Sequence, residues 1–122
     1  MERKTILIVD DEPDIVETLL FALEQEGFRC ITAGDGIEAL TRARAENPHL
    51  ILLDVMLPKM SGYKVARLLK FDERYRHLPI LMLTAKAQES DRALGLETGA
   101  DGYITKPFDT AALIATVKQH VR

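Results

Sequence analysis

Several things are scarce in this chain. It has one cysteine, Cys30, no tryptophan, and only 6% aromatic residues. A lone thiol excludes an internal disulfide and a cysteine-based zinc cage, and its simplest role is that of a small apolar residue in a strand. No apolar run approaches the roughly 20 residues needed to cross a bilayer. The start, MERKTILIVDDE, has basic residues but meets acids soon after its short apolar stretch, which leaves no room for a secretory signal. A cytoplasmic location without a membrane partner is therefore expected. An excess of one charge is missing too. The formal net charge is -3 with both signs interspersed, so no basic stripe points to direct nucleic-acid binding.

What is present is enough for one domain, taken as residues 1–122, because 47% of the chain is hydrophobic. Continuous apolar runs at TILIV (5–9), LILL (50–53) and ILML (80–83) lack the alternation of a half-exposed strand and read as strands buried on both faces. FRCITA (28–33) is partly polar and GYIT (102–105) is short, so both suit the edges of a sheet. Helical patterns lie between the strands. PDIVETLLFALEQEG places Ile15, Val16, Leu19, Leu20 and Leu23 on one face, with Pro13 in the first turn and Gly27 as the stop. GIEALTRARAENP repeats the pattern with Ile37, Leu40 and Ala43, and after a Ser61 cap Val65, Leu68 and Leu69 form a third stripe. A fourth helix at about 87–97 has few apolar positions and carries Gly95, and a last one, capped by Asp109, turns Leu113, Val117 and Val121 inward. Five strands alternating with helices predict an α/β fold: a doubly wound five-stranded parallel sheet, order 2-1-3-4-5, with helices on both faces.

In a parallel sheet all strands end on one edge, and the residues that follow the apolar runs are Asp10 and Asp11, Asp54, Thr84 and Lys106. Strands one and three are neighbours in this order, and the crevice between them is where open α/β sheets bind ligands. Any one of these residues has an ordinary reading as a turn former, cap or solvated lysine; four strand ends agreeing do not. Carboxylates gathered within a few ångströms repel by about 4 kcal/mol per pair at an effective dielectric near 20, so the cluster calls for a cation. All-oxygen ligands favour Mg2+, with Mn2+ or another divalent ion as substitute. An acid cluster, a metal, a lysine and a hydroxyl make a cradle for a phosphoryl group, and an ionised Asp54 needs no general base to accept one. Asp10 and Asp11 are suited to holding the metal.

The blocks ILIVDDEPDI, LILLDVMLPKMSGY, PILMLTAKA and GADGYITKPF resemble the motifs of the response-regulator receiver domain of two-component signalling, from about residue 4 to 121. The resemblance implies a flavodoxin-like fold and a phosphorylation-dependent switch, in a two-component or phosphorelay system, in which Asp54 accepts phosphoryl from a sensor histidine kinase or phosphotransfer protein. It implies metal ligation by Asp10, Asp11, Asp54 and the backbone carbonyl of Met56, phosphoryl binding by Thr84 and Lys106, and a cis bond between Lys106 and Pro107. Switching would draw the Thr84 hydroxyl inward and rotate Tyr103, changing the surface of the fourth helix, fifth strand and last helix that a downstream protein or effector domain meets.

GLETGADGYITKPF is close to receivers of winged-helix transcription factors, which dimerise through charged residues. Lys86, Arg92, Glu97, Asp101 and Lys118 are available for that, but Gly102, Ala112 and Thr116 replace residues that are usually acidic, acidic and basic; a monomer or weak dimer is expected. Met56 and Lys86 flank the route of a hydrolytic water and orient it poorly, which predicts slow self-dephosphorylation. Two other classes are weighed. A haloacid dehalogenase-type phosphatase would carry a second Asp two residues after the nucleophile, where this chain has Met56. A flavin module would want Ser, Thr or Gly after strand one, where this chain is acidic. The chain is thus expected to be a switch rather than a turnover enzyme, either as a single-domain regulator or as the receiver end of a longer one. His49, His77 and His120 receive no role.

Overall fold

Three strands are buried along their whole length, as their unbroken apolar sequences require: β1 (Thr5–Val9), β3 (Leu50–Asp54) and β4 (Ile80–Thr84). The computed structural model describes residues 3–85 and 99–121. Around these strands lie α1 (Pro13–Gln25), β2 (Arg29–Ala33), α2 (Gly36–Glu46), α3 (Gly62–Lys70), β5 (Gly102–Thr105) and a helix here called α4 (Thr110–His120). The helix expected at 87–97 lies outside the described residues. The sheet is parallel with order β2-β1-β3-β4-β5, and the two less apolar strands take its edges as expected. Among the described residues no helix is long and apolar enough to cross a membrane.

Alternate residues of the buried strands feed two cores. Leu7, Val9, Ile51, Leu53, Ile80 and Met82 pack with α2 and α3. Ile6, Ile8, Leu50, Leu52, Leu81 and Leu83 pack with Leu19 and Leu23 of α1 and Leu113 and Val117 of α4. Strands buried on both faces give a rigid platform, since each side chain is held by close packing from its own layer.

Helix ends follow local chemistry. Pro13 opens α1 and Gly27, at φ 91°, follows its end. The Asp35, Ser61 and Asp109 side chains cap α2, α3 and α4, accepting from the N–H groups of Glu38, Lys64 and Ala111. Asn47, in the left-handed region at φ 48°, ends α2. Two helix faces differ from expectation. Ile37 is half-exposed, and α2 instead buries Gly36, Ala39, Leu40 and Ala43. Leu68 is exposed, and α3 buries Gly62, Val65, Ala66 and Leu69. In both helices a glycine at the first position is pressed against backbone, so the inward face is set by that contact and by small residues rather than by the bulkiest ones.

Candidate functional site

Sheet register brings the predicted residues to one edge. Val9 pairs with Leu53, so Asp10 and Asp54 occupy neighbouring strand ends. Thr84 pairs with Thr105, and Lys106 follows, its N–H donating to the Thr84 carbonyl at 2.6 Å. The Lys106–Pro107 bond is cis, as the sequence resemblance implied. Asp10, Asp54 and Thr84 are nearly inaccessible, at 2%, 4% and 4% exposure.

Lys106 is the hub of the charges. Its ammonium donates to Asp10 Oδ2 at 2.8 Å and lies 3.4 Å from Glu12 Oε1 and 3.5 Å from Asp54 Oδ2. Burial pulls the Lys106 pKa down, but the Asp10 hydrogen bond and the charges of Asp54, Asp10 and Glu12 outweigh it, so the lysine is held above its ordinary value. The other Asp10 oxygen accepts from the Glu12 N–H at 2.9 Å, and Asp54 Oδ1 accepts from the Met56 N–H at 3.3 Å. Asp54 is pushed up to about 6, first by burial and next by the charge of Asp10, with Lys106 and the Met56 N–H pulling the other way.

Oxygens of Asp10, Asp11, Glu12 and Asp54 lie within 4.8 Å of one another. Two of these acids are buried and two exposed, so the group opens to solvent on one side. Like charges at that separation repel by about 3–4 kcal/mol per pair at an effective dielectric near 20, and one lysine cannot neutralise four carboxylates. The donor set is all oxygen and strongly anionic, which fits a hard divalent cation. Glu12 escaped the sequence reading although the acidic run D-D-E announced it; a third consecutive acid resembles solvated loop chemistry until the lysine hub is seen. Tyr103 is half-buried on β5 and packs against the α2/α3-side core. Met56 is exposed beside the cluster.

The response regulator receiver domain model matches residues 6–118. The chain belongs to this receiver-domain family. It is 52% identical over 120 residues to the alkaline phosphatase synthesis transcriptional regulatory protein PhoP of Bacillus subtilis, covering 98% of this chain and 49% of that one. The chain spans about half the length of the curated relatives it matches. Its fold superposes on the chemotaxis protein CheY4 of Vibrio cholerae with a TM-score of 0.93 and 31% identity, covering 98% of this chain and 100% of that one. A receiver domain of the sensor histidine kinase PA1611 from Pseudomonas aeruginosa, solved with a magnesium ion in its active site cleft, matches with a TM-score of 0.89 and 33% identity over 98% of both chains. Family membership leaves the dehalogenase-type phosphatase reading without support.

Two charged residues expected on a receiver dimer surface are already paired within this receiver domain. Asp101 Oδ2 takes the Lys70 ammonium at 2.9 Å and the Ile80 N–H at 2.8 Å. Lys118 pairs with Glu26, the residue that follows the last of α1. Lys86, Arg92 and Glu97 lie outside the described residues. Of the histidines, His49 accepts the Thr5 N–H through Nδ1 at 3.0 Å and His120 Nδ1 bonds the Thr116 carbonyl at 2.9 Å, both away from the acid cluster.

Proposed function

We propose that Asp54 is the phosphoryl acceptor of a two-component or phosphorelay switch, with Thr84 and Lys106 binding phosphoryl oxygens and Asp10, Asp11, Asp54 and the Met56 carbonyl holding Mg2+. The observation that carries this reading is the buried Asp54 carboxylate, fixed at a central strand end with its oxygen 3.5 Å from Lys106 and beside Asp10. A nucleophile fixed by a strand loses little orientation on reaching the reactive geometry, and positioning together with electrostatic stabilisation is almost all that a protein contributes to phosphoryl transfer.

An Asp54 oxygen forms the new O–P bond as the P–N bond of a donor phosphohistidine breaks, and the departing imidazole keeps the electron pair and takes a proton. Lys106 lies where charge accumulates on the phosphoryl oxygens. Bound Mg2+ supplies neutralisation of the gathered acids and of the incoming dianion. Glu12, the fourth acid, holds Lys106 from the solvent side. The physiological donor is then a histidine kinase or phosphotransfer protein, the setting is cytoplasmic, and the listener meets the face formed by β5 and α4. Thr84 and Tyr103 carry the change to that face, as a shift between two packings.

The test is incubation with acetyl phosphate and Mg2+, read by intact mass for wild type and Asp54→Ala. One phosphoryl group is expected on wild type and none on the variant. An equal mass increase in both would overturn the assignment.

A further inference from the structure

The loop from β3 to α3, residues 55–61, borders the acid cluster, and glycines at both sides govern where it lies. A Cβ on Gly62 would stand 2.1 Å from the Asp54 carbonyl oxygen, and the Gly62 N–H donates to the Val55 carbonyl at 2.9 Å. That anchor is adjacent to the site. The second is distant in sequence. A Cβ on Gly36, the first residue of α2, would stand 2.1 Å from the Met60 carbonyl oxygen and 2.7 Å from the Met60 Cβ. The Gly36 N–H donates to the Pro58 carbonyl at 3.3 Å, and Met60 N–H closes the turn on the same carbonyl at 2.7 Å. Between them Lys59, at φ 68°, sets its ammonium 3.6 Å from Asp35, the residue that caps α2.

Three consecutive loop residues thus rest on Asp35 and Gly36. The backbone of Gly36 is not left-handed, since only Gly27 and Gly99 have positive φ among the described glycines. An alanine there would be the better helix former. What the position requires is the absence of a side chain, so that the loop can approach.

We infer that Asp35 and Gly36 are positioning residues for the phosphoacceptor site. They act through residues 58–60 on the loop that delivers the Met56 N–H to Asp54. The inference rests on reading Asp54 as the acceptor. With a methyl group at position 36, the Met60 backbone must withdraw by more than an ångström to reach ordinary contact. Misplacement on that scale costs about tenfold to a hundredfold in rate when it reaches reacting groups.

The experiment compares wild type, Gly36→Ala and Asp35→Asn. The Asn variant keeps the helix cap and removes the charge that faces Lys59. Two readouts are taken at a temperature where circular dichroism shows all three folded: the rate of phosphorylation by acetyl phosphate with Mg2+, and hydrogen exchange of residues 55–62 in EDTA. Gly36→Ala is expected to slow phosphorylation by about tenfold or more and to speed exchange in that loop alone, with Asp35→Asn showing a smaller change in the same direction. Loop exchange and rate unchanged in both variants would overturn the inference, even if melting temperatures fall. Should Gly36→Ala not fold, Asp35→Asn decides on the same two readouts. Absence of label on wild-type Asp54 would sink the acceptor reading, while the metal-free exchange still decides the loop anchor.

Discussion

Replacing Asp54 by Asn should stabilise the metal-free domain and remove most of its response to Mg2+. Burial and the Asp10 charge raise the Asp54 pKa from 3.8 to about 6. Holding it ionised at neutral pH therefore costs the fold about 3 kcal/mol at 1.36 kcal/mol per unit. Solvent at the open side of the cluster screens part of this, so we expect a gain of about 1–2 kcal/mol, or about 5–10 °C in melting temperature for a domain of this size. The Asn oxygen can keep the 3.3 Å bond from the Met56 N–H. The pH dependence has a definite sign. A carboxyl whose pKa is raised on folding contributes stability that is fully present below about pH 4 and lost as the pH rises through about 6, because the folded state keeps the proton longer. Wild type in EDTA should therefore gain stability between pH 7 and pH 5 relative to the Asn variant. If the cluster binds Mg2+ as proposed, the ion at ten times its dissociation constant should stabilise wild type by about 1.4 kcal/mol, and a variant lacking one acid of the cluster by less. Melts in EDTA and in Mg2+, at pH 7 and pH 5, check all three. A variant less stable than wild type in EDTA at pH 7, with the same pH slope, would refute the electrostatic account.

Three other outcomes follow from neighbouring observations. Asp101→Ala leaves the Ile80 N–H and the mostly buried Lys70 ammonium without their shared carboxylate, which should cost about 2–3 kcal/mol, read from urea midpoints. Cys30 is pushed up to about 11, mainly by burial and then by Glu24, so a thiol reagent at pH 7 should label the native protein much more slowly than the unfolded one. With Met56 at the position two after Asp54, the phosphorylated domain should persist for minutes or longer in Mg2+, followed by intact mass; loss within seconds would contradict it.

Strand positions were legible because burial on both faces leaves no room for polar residues, so TILIV, LILL and ILML mark the sheet directly. The edges were legible for the opposite reason: Arg29 makes β2 partly polar, which suits a strand that meets solvent, and β5 is only four residues long. Helix phase was harder to read. Ile37 and Leu68 looked like core residues by size, yet close backbone contacts at Gly36 and Gly62 turn them outward. Such contacts join residues far apart in the chain and have no periodic signature.

The site divides along the same line. Asp10, Asp54, Thr84 and Lys106 could be placed from sequence because parallel strands in register bring their ends together, whatever the loops do. Glu12 and the Asp35–Gly36 anchor could not, since each depends on a contact made across the fold by Lys106 or by Met60. The two groups are linked energetically. An acid cluster that Lys106 neutralises only in part costs several kcal/mol, and a loop pressed onto a glycine forgoes the stability that a helix-forming side chain would add there. Both are tolerated because the legible part, three fully buried strands packed on two faces, supplies enough stability to hold unfavourable charges where a phosphoryl group would meet them.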